Sequence, residues 1–187
     1  QADARDAFAI EGIQHNIPFL AALMQHTRWQ SGNLSTGFIA EEYPEGFKAR
    51  PPEGDAAGVM AAVAAFIDHI QNVRKRKISH QMRQGHRVAF DRDRVVLMAG
   101  SRHDVQVFED DGLIAVRLLD GAGGTELRTH TVASSWTPGQ PVFAGKVDGK
   151  VVNLLVKAIP NGVTLAYRGI ATTAHVYTRR EAELAAL

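Results

Sequence analysis

The spacing of apolar residues divides the chain at about residue 85. Upstream, Phe19, Leu20, Leu23 and Met24 recur at helical spacing, and Pro18 stands where a helix start tolerates a missing N–H. The spacing therefore predicts an amphipathic helix over residues 18–26. SGNLSTGFIAEEYPEGF then offers Ser35 or Thr36 as the N-cap of a short turn of helix, which Pro44 and Gly46 stop. ARPPEG, Ala49 to Gly54, reads as a linker. From Asp55 to Lys77 a long helix follows, and residues 56–67 are apolar on every side. A helix without a polar face has to be buried all round, and its alanines let neighbouring backbone approach closely. The run is too short and alanine-rich for a membrane span, and Asp68, His69 and its basic end interrupt it.

Downstream the period becomes two. HRVAF, RVVLMAG, HDVQVFE, LIAVRLL, ELRTHTVAS, PVFAGKV, VVNLLVKAI, GVTLAYR and IATTAHVYT are short runs rich in Val, Ile, Leu, Thr and Tyr. Asp110-Asp111-Gly112, the glycines at 121, 123 and 124, Asp148-Gly149, Asn161-Gly162 and Arg168-Gly169 are the turns between them. Asp-Gly and Asn-Gly loops favour type I′ hairpins, which makes Val142 to Tyr177 an antiparallel meander. The fold class expected is α+β: a long central buried helix surrounded by an antiparallel β-barrel of about eight strands, preceded by a small helical appendage. Closure hides both the sheet edges and the helix.

Candidate chemistry is sparse. The chain has 187 residues, no cysteine and a formal charge of +1, which removes thiolate chemistry and any general attraction to polyanions. Its eight histidines follow no zinc-helix pattern and read as ordinary surface or capping residues. His15, beside Asn16 in EGIQHNIPFLAALM, has no catalytic partner and reads as the junction between two helices, the first ending near Gly12. No Gly-x-Ser-x-Gly elbow surrounds Ser134 or Ser135. The one charge feature is Arg74-Lys75-Arg76-Lys77, extended by Arg83, Arg87, Arg92 and Arg94. A nucleic-acid reading uses these as phosphate contacts; the simpler one is that cations suit a helix C-terminus. Only Phe90 lies nearby to stack on a base, so neither nucleic acid nor a membrane is expected as a partner, and a protein is.

FAIEGIQHNIPFL, Phe8 to Leu20, followed by SGNLSTGFIAEEYPEGFKA, Ser31 to Ala49, resembles the end of the biotin carboxylase domain in the biotin-carrying α subunits of propionyl-CoA carboxylases. YTRREAELAAL, Tyr177 to Leu187, is similar to the segment before the biotinyl domain of the same subunits. The resemblance implies a piece of a longer chain. Residues 1–48 would be the remnant of a biotin carboxylase domain and 49–187 a helix-in-barrel unit that docks the subunit on a carboxyltransferase β subunit. In that family the parent enzyme uses ATP, Mg and bicarbonate to carboxylate biotin, then propionyl-CoA; this piece carries neither the nucleotide loop nor the Ala-Met-Lys-Met motif. The expectation is therefore no catalytic residue and no cofactor bound here. Its neighbours would be the β subunit and the chain's own biotin carboxylase and biotinyl domains. The location implied is the bacterial cytoplasm, or the mitochondrial matrix in a eukaryote. The connection from Ile78 to His86 resembles the hook of this family, and the contact residues expected are Arg76, Lys77, Ile78, His80, Gln81, Met82 and Arg83. The equivalent part of an acetyl-CoA or methylcrotonyl-CoA carboxylase is the alternative, and a free-standing nucleic-acid or ligand-binding barrel a more distant one.

Overall fold

A computed structural model of the chain describes residues 16–47, 51–76, 91–110, 113–121 and 124–186. Three short helices come first: α1 (Ile17–Gln25), α2 (Thr27–Gln30) and α3 (Phe38–Glu42). The long helix α4 (Gly54–Arg76) leads to strands β1 (Asp93–Met98), β2 (Ser101–Asp110), β3 (Leu113–Leu119) and β4 (Glu126–Ser134). Strands β5 (Val142–Val147), β6 (Lys150–Ile159), β7 (Gly162–Tyr167) and β8 (Ile170–Tyr177) complete the sheet, and α5 (Arg179–Ala185) follows. Each strand pairs antiparallel with the next, and β1 pairs with β8 from Val95↔Tyr177 to Met98↔Ala174. The eight strands thus form a closed barrel, as the alternating pattern predicts.

Helix α4 supplies the core of that barrel. Met60 to Ile67 are all buried, and the helix packs on β1, β2, β3, β4, β7 and β8, with Phe66 meeting Phe143 of β5 edge to face at 5.5 Å. An eight-stranded barrel has room only for side chains or a small ligand, so a helix enters only if it is thin. Ala61, Ala62, Ala64 and Ala65 make it thin, and alanine is also the best helix former. Inward-facing Val96, Val105, Val116, Val132, Leu154, Leu165 and Ala174 close around it. By length and composition α4 is also apolar enough to cross a bilayer; its apolar stretch lies inside the barrel instead.

Among the described two-residue hairpin loops, three have positive φ at both positions and one is built differently. Asp148-Gly149 and Arg168-Gly169 have positive φ at both positions, as a type I′ turn requires, and so do Ala99-Gly100, which join β1 to β2 without a turn-like sequence. Asn161-Gly162 is different. The two loop residues are Pro160 and Asn161, because Gly162 already pairs with Ile159 in β7. Proline cannot adopt positive φ, so the loop cannot be type I′. Gly162 is required by crowding: a Cβ there would lie 2.2 Å from the Ala174 carbonyl oxygen of β8.

Other expectations need correction. Gly37, not Ser35 or Thr36, is the N-cap of α3; the Ser35 carbonyl accepts from the Phe38 N–H, while its hydroxyl donates to Glu41 at 3.0 Å. On α1, Leu23 is buried but Leu20 and Met24 are more than 40% exposed, at 42% and 43%, so the apolar stripe is only half covered by described residues. What packs the helical appendage is aromatic: Phe19 against Tyr43 and Phe47, and His26 against Phe38. His26 does cap a helix, its Nδ1 accepting from the Arg28 N–H. His130 is not a surface residue. It points into the barrel with no exposed area, its Nδ1 2.8 Å from Asp148 Oδ2 and its Nε2 facing the space that a Cβ on Gly58 of α4 would fill. The first helix, His15 and the run HRVAF lie outside the described residues.

Candidate docking site

The expected hook, Ile78 to His86, lies outside the described residues, and of the expected contact residues only Arg76 lies within them. Arg76 is the last residue of α4; Lys77, Ile78, His80, Gln81, Met82 and Arg83 fall outside them. The structure does describe both ends of that connection, the last turns of α4 and residues 91–94, at one end of the barrel.

Arg94 is the centre of this end. It faces inward from β1 and is 7% exposed, so each of its donors needs a partner. Its Nε donates to Asp68 Oδ2 of α4 at 2.9 Å, and its Nη1 donates to the carbonyls of Asp91 at 2.5 Å and Asp93 at 2.8 Å. Helical spacing extends the network along α4. Asn72, four residues after Asp68, donates from Nδ2 to the same carboxylate oxygen at 2.9 Å, and Lys75 donates to Asn72 Oδ1 at 3.4 Å. Asp68 is the first charged residue after the apolar run, which explains its place at the barrel lip.

Residues 91–93 are pinned from the other side. Asp91 accepts from the Asp93 N–H, the Arg92 guanidinium lies 5.3 Å from the Phe108 ring centre, and the Arg92 carbonyl accepts from the Val107 N–H. Asp93 takes Gln106 on one carboxylate oxygen at 2.8 Å and Arg179 of α5 on the other at 3.0 Å. α5 is itself fixed by a capping box, in which the Thr178 N–H and hydroxyl donate to Glu181 Oε2 and the Glu181 N–H donates back to Thr178 Oγ1. The Thr178 bonds hold the Glu181 carboxyl below its usual range, against some burial and helped by the Arg94 and Lys75 charges.

Two clefts flank Arg94. One, of about 330 Å³, lies between α4, the β6–β7 hairpin and α5, with Gln71, Lys75, Asn161 and Glu181 on its walls. The other, of about 190 Å³, is bounded by His69, Asp91, Arg92 and Glu109. Among the described residues no three His, Cys, Asp or Glu side chains are grouped to hold a metal ion. Arg94 also leaves the expected basic patch, since it points inward to a carboxylate and two carbonyls rather than toward a phosphate.

The family model for the propionyl-coenzyme A carboxylase BT domain matches residues 60–187. The chain belongs to this family. The "Propionyl-CoA carboxylase alpha chain" of Ruegeria pomeroyi is 38% identical over 185 residues, which is 98% of this chain and 26% of that protein. The mitochondrial propionyl-CoA carboxylase alpha chain of Mus musculus is 26% identical over 186 residues, 97% of this chain and 25% of its own. That of Homo sapiens is 28% identical over 153 residues, 82% of this chain and 17% of its own. The chain thus spans about a quarter of the length of the first two of these relatives.

The Asp68–Arg94 pair had no signal in the sequence, because its members are 26 positions apart in elements of different period. The turn Asp91-x-Asp93 and the capping-box spacing Thr178-x-x-Glu181 are the local patterns from which the order of this end could have been read.

Proposed function

We propose that the chain is the subunit-docking part of the α chain of a biotin-dependent propionyl-CoA carboxylase. Residues 1–48 would be the end of its biotin carboxylase domain, and 49–187 the unit that meets the carboxyltransferase β subunit. The observation that carries the reading is the family match over residues 60–187. The contact is assigned to the connection after α4, with Arg76, Lys77, Ile78, His80, Gln81, Met82 and Arg83 as the residues that touch the β subunit. Two neighbouring features support that choice: the connection leaves from a rigid helix held in the barrel, and it returns to a strand start fixed by Arg94. The parent enzyme would carboxylate propionyl-CoA to methylmalonyl-CoA with bicarbonate and ATP. It would act in the bacterial cytoplasm or the mitochondrial matrix, and biotin and Mg would be bound by its other domains.

The contribution of this chain to such a reaction is geometric. A carrier-borne biotin has to visit two active sites, and one scaffold joining both raises the carrier's effective concentration at each. No described residue is assigned a step in the bond-making chemistry. The test is deletion of Ile78–His86 from the full-length α chain. Biotin carboxylation is expected to persist, while co-purification with the β subunit and carboxylation of propionyl-CoA are lost. Co-purification of the deletion variant at full yield would overturn the assignment.

A further inference from the structure

We infer that helix α1 is a wall shared by two units, with one side packed on the barrel and the opposite side, carrying Leu20 and Met24, packed on the body of the biotin carboxylase domain of the parent α chain. This rests on the function proposed above, in which residues 1–48 end that domain. The helix has three sides in different company, and its period separates them. Ala22 and Gln25, three positions apart, face the barrel. Gln25 Nε2 donates to the Arg168 carbonyl at 2.8 Å, and both residues wall a cleft of about 290 Å³ against the tip of the β7–β8 hairpin. Phe19 and Leu23, four positions apart, serve the helical appendage itself: Phe19 meets Tyr43 and Phe47, and Leu23 is buried. Leu20 and Met24, again four apart, lie about 150° round the helix from the barrel side at 3.6 residues per turn. They are 42% and 43% exposed.

That side belongs to a wider concentration of apolar surface. Of the nine large hydrophobic side chains exposed among the described residues, five fall between positions 20 and 39: Leu20, Met24, Trp29, Leu34 and Ile39. The other four are spread over three strands and α5. Single exposed apolar residues are ordinary, whereas a concentration in one small unit marks a contact surface. The barrel is not the missing contact, since it already holds the opposite side of α1. The docking-domain family model starts only at residue 60, so the appendage stands outside that unit, yet the relatives align with it as well, over 98% and 97% of this chain. This chain is 26% of the Ruegeria pomeroyi protein, which leaves most of such a parent chain to meet the barrel through some element. Helix α1 has one side on the barrel and an apolar side to offer, which is what such an element requires.

The test is hydroxyl-radical footprinting of the full-length α chain, read residue by residue by mass spectrometry. Leu20 is expected to label as slowly as the buried Leu154 and Leu165, and Met24 as slowly as Met60 and Met98. Labelling of Leu20 and Met24 at the rate their exposure in this structure gives would overturn the shared wall. Protection that appears only when the β subunit is added, or only at high protein concentration, would assign the side to that subunit or to a second copy and overturn it equally. Leu20→Ser combined with Met24→Ser supplies the functional arm. In the full-length chain it is expected to lower the unfolding temperature of the carboxylase by about 5–10 °C and to reduce biotin carboxylation, with binding of the β subunit unchanged. Val151→Ser, at an exposed site on the outer wall of β6, is expected to change none of these. Wild-type stability and carboxylation in the double variant would count against the shared wall. The Ile78–His86 deletion separates the two levels. If it leaves β-subunit binding intact, the docking assignment fails and the footprint decides the shared wall; if it abolishes binding while Leu20 and Met24 label fast, the shared wall alone fails.

Discussion

Gly58 is the single glycine within the apolar stretch of α4, where alanine would ordinarily be worth about 1 kcal/mol more. A Cβ at this position would come within 2.8 Å of His130 Nε2. The imidazole cannot swing away, because it has no exposed area and its other nitrogen is bonded to Asp148. Gly58→Ala is therefore expected to destabilise the fold, since overpacking costs about 1–3 kcal/mol and outweighs the helical gain. In a His130→Ala background the same change should become neutral or stabilising, and denaturant unfolding of the four proteins measures the difference. Neither half of this contact was legible in the sequence. Nothing local sets Gly58 apart within its apolar run, and His130 reads as one of eight unpatterned histidines; the two lie 72 positions apart.

The elements themselves were the legible level. Helix α4 follows from an uninterrupted apolar run, and the strands from alternation and turn residues, both of which are local properties. What local reasoning could not see was how narrow the space around α4 is. Ala61 has no exposed area and faces barrel side chains on a wall already closed. Ala61→Leu is expected to cost about 1–3 kcal/mol through overpacking, where the same change on a solvent-facing helix costs a few tenths. Thermal unfolding of the variant checks this, and an unchanged midpoint would mean the barrel can expand around its helix. The β6–β7 loop shows the limit of turn signatures: Asn-Gly suggested a register that Pro160 excludes, and Gly162 was needed by β8 rather than by the turn.

At the scale of the whole molecule, closure is uneven. The β4–β5 ladder runs only from Val132↔Val147 to Ser134↔Gly145, the shortest seam of the barrel. Asp148, at the tip of the β5–β6 hairpin, extends it: its N–H donates to the Thr131 carbonyl, and its carboxylate receives the Thr131 N–H, the His130 ring and Arg128. Burial works against the Asp148 charge, but these partners outweigh it and hold its carboxyl below the usual range. A carboxyl lowered in the folded state stabilises fully at neutral pH, and that contribution drains as pH falls from about 4 toward the lower folded value. Asp148→Asn retains a residue that tolerates the positive φ of 52° while removing the charge. The variant is expected to be less stable than wild type at neutral pH, with urea midpoints converging below about pH 4. A gap that stays constant with pH would rule out the carboxylate as the seam's fastening.

The sequence by itself determined that one helix is apolar on every side and that many short strands follow it, because both facts are carried by neighbouring residues. Together they left almost no solution but a barrel around a helix. Tertiary structure alone decided which polar groups meet inside and at the lip: Asp68 with Arg94, and His130 with Gly58 and Asp148. Such pairings depend on the register of a closed sheet against a helix of different period. No local pattern encodes that register, since it is set only when the last strand finds the first.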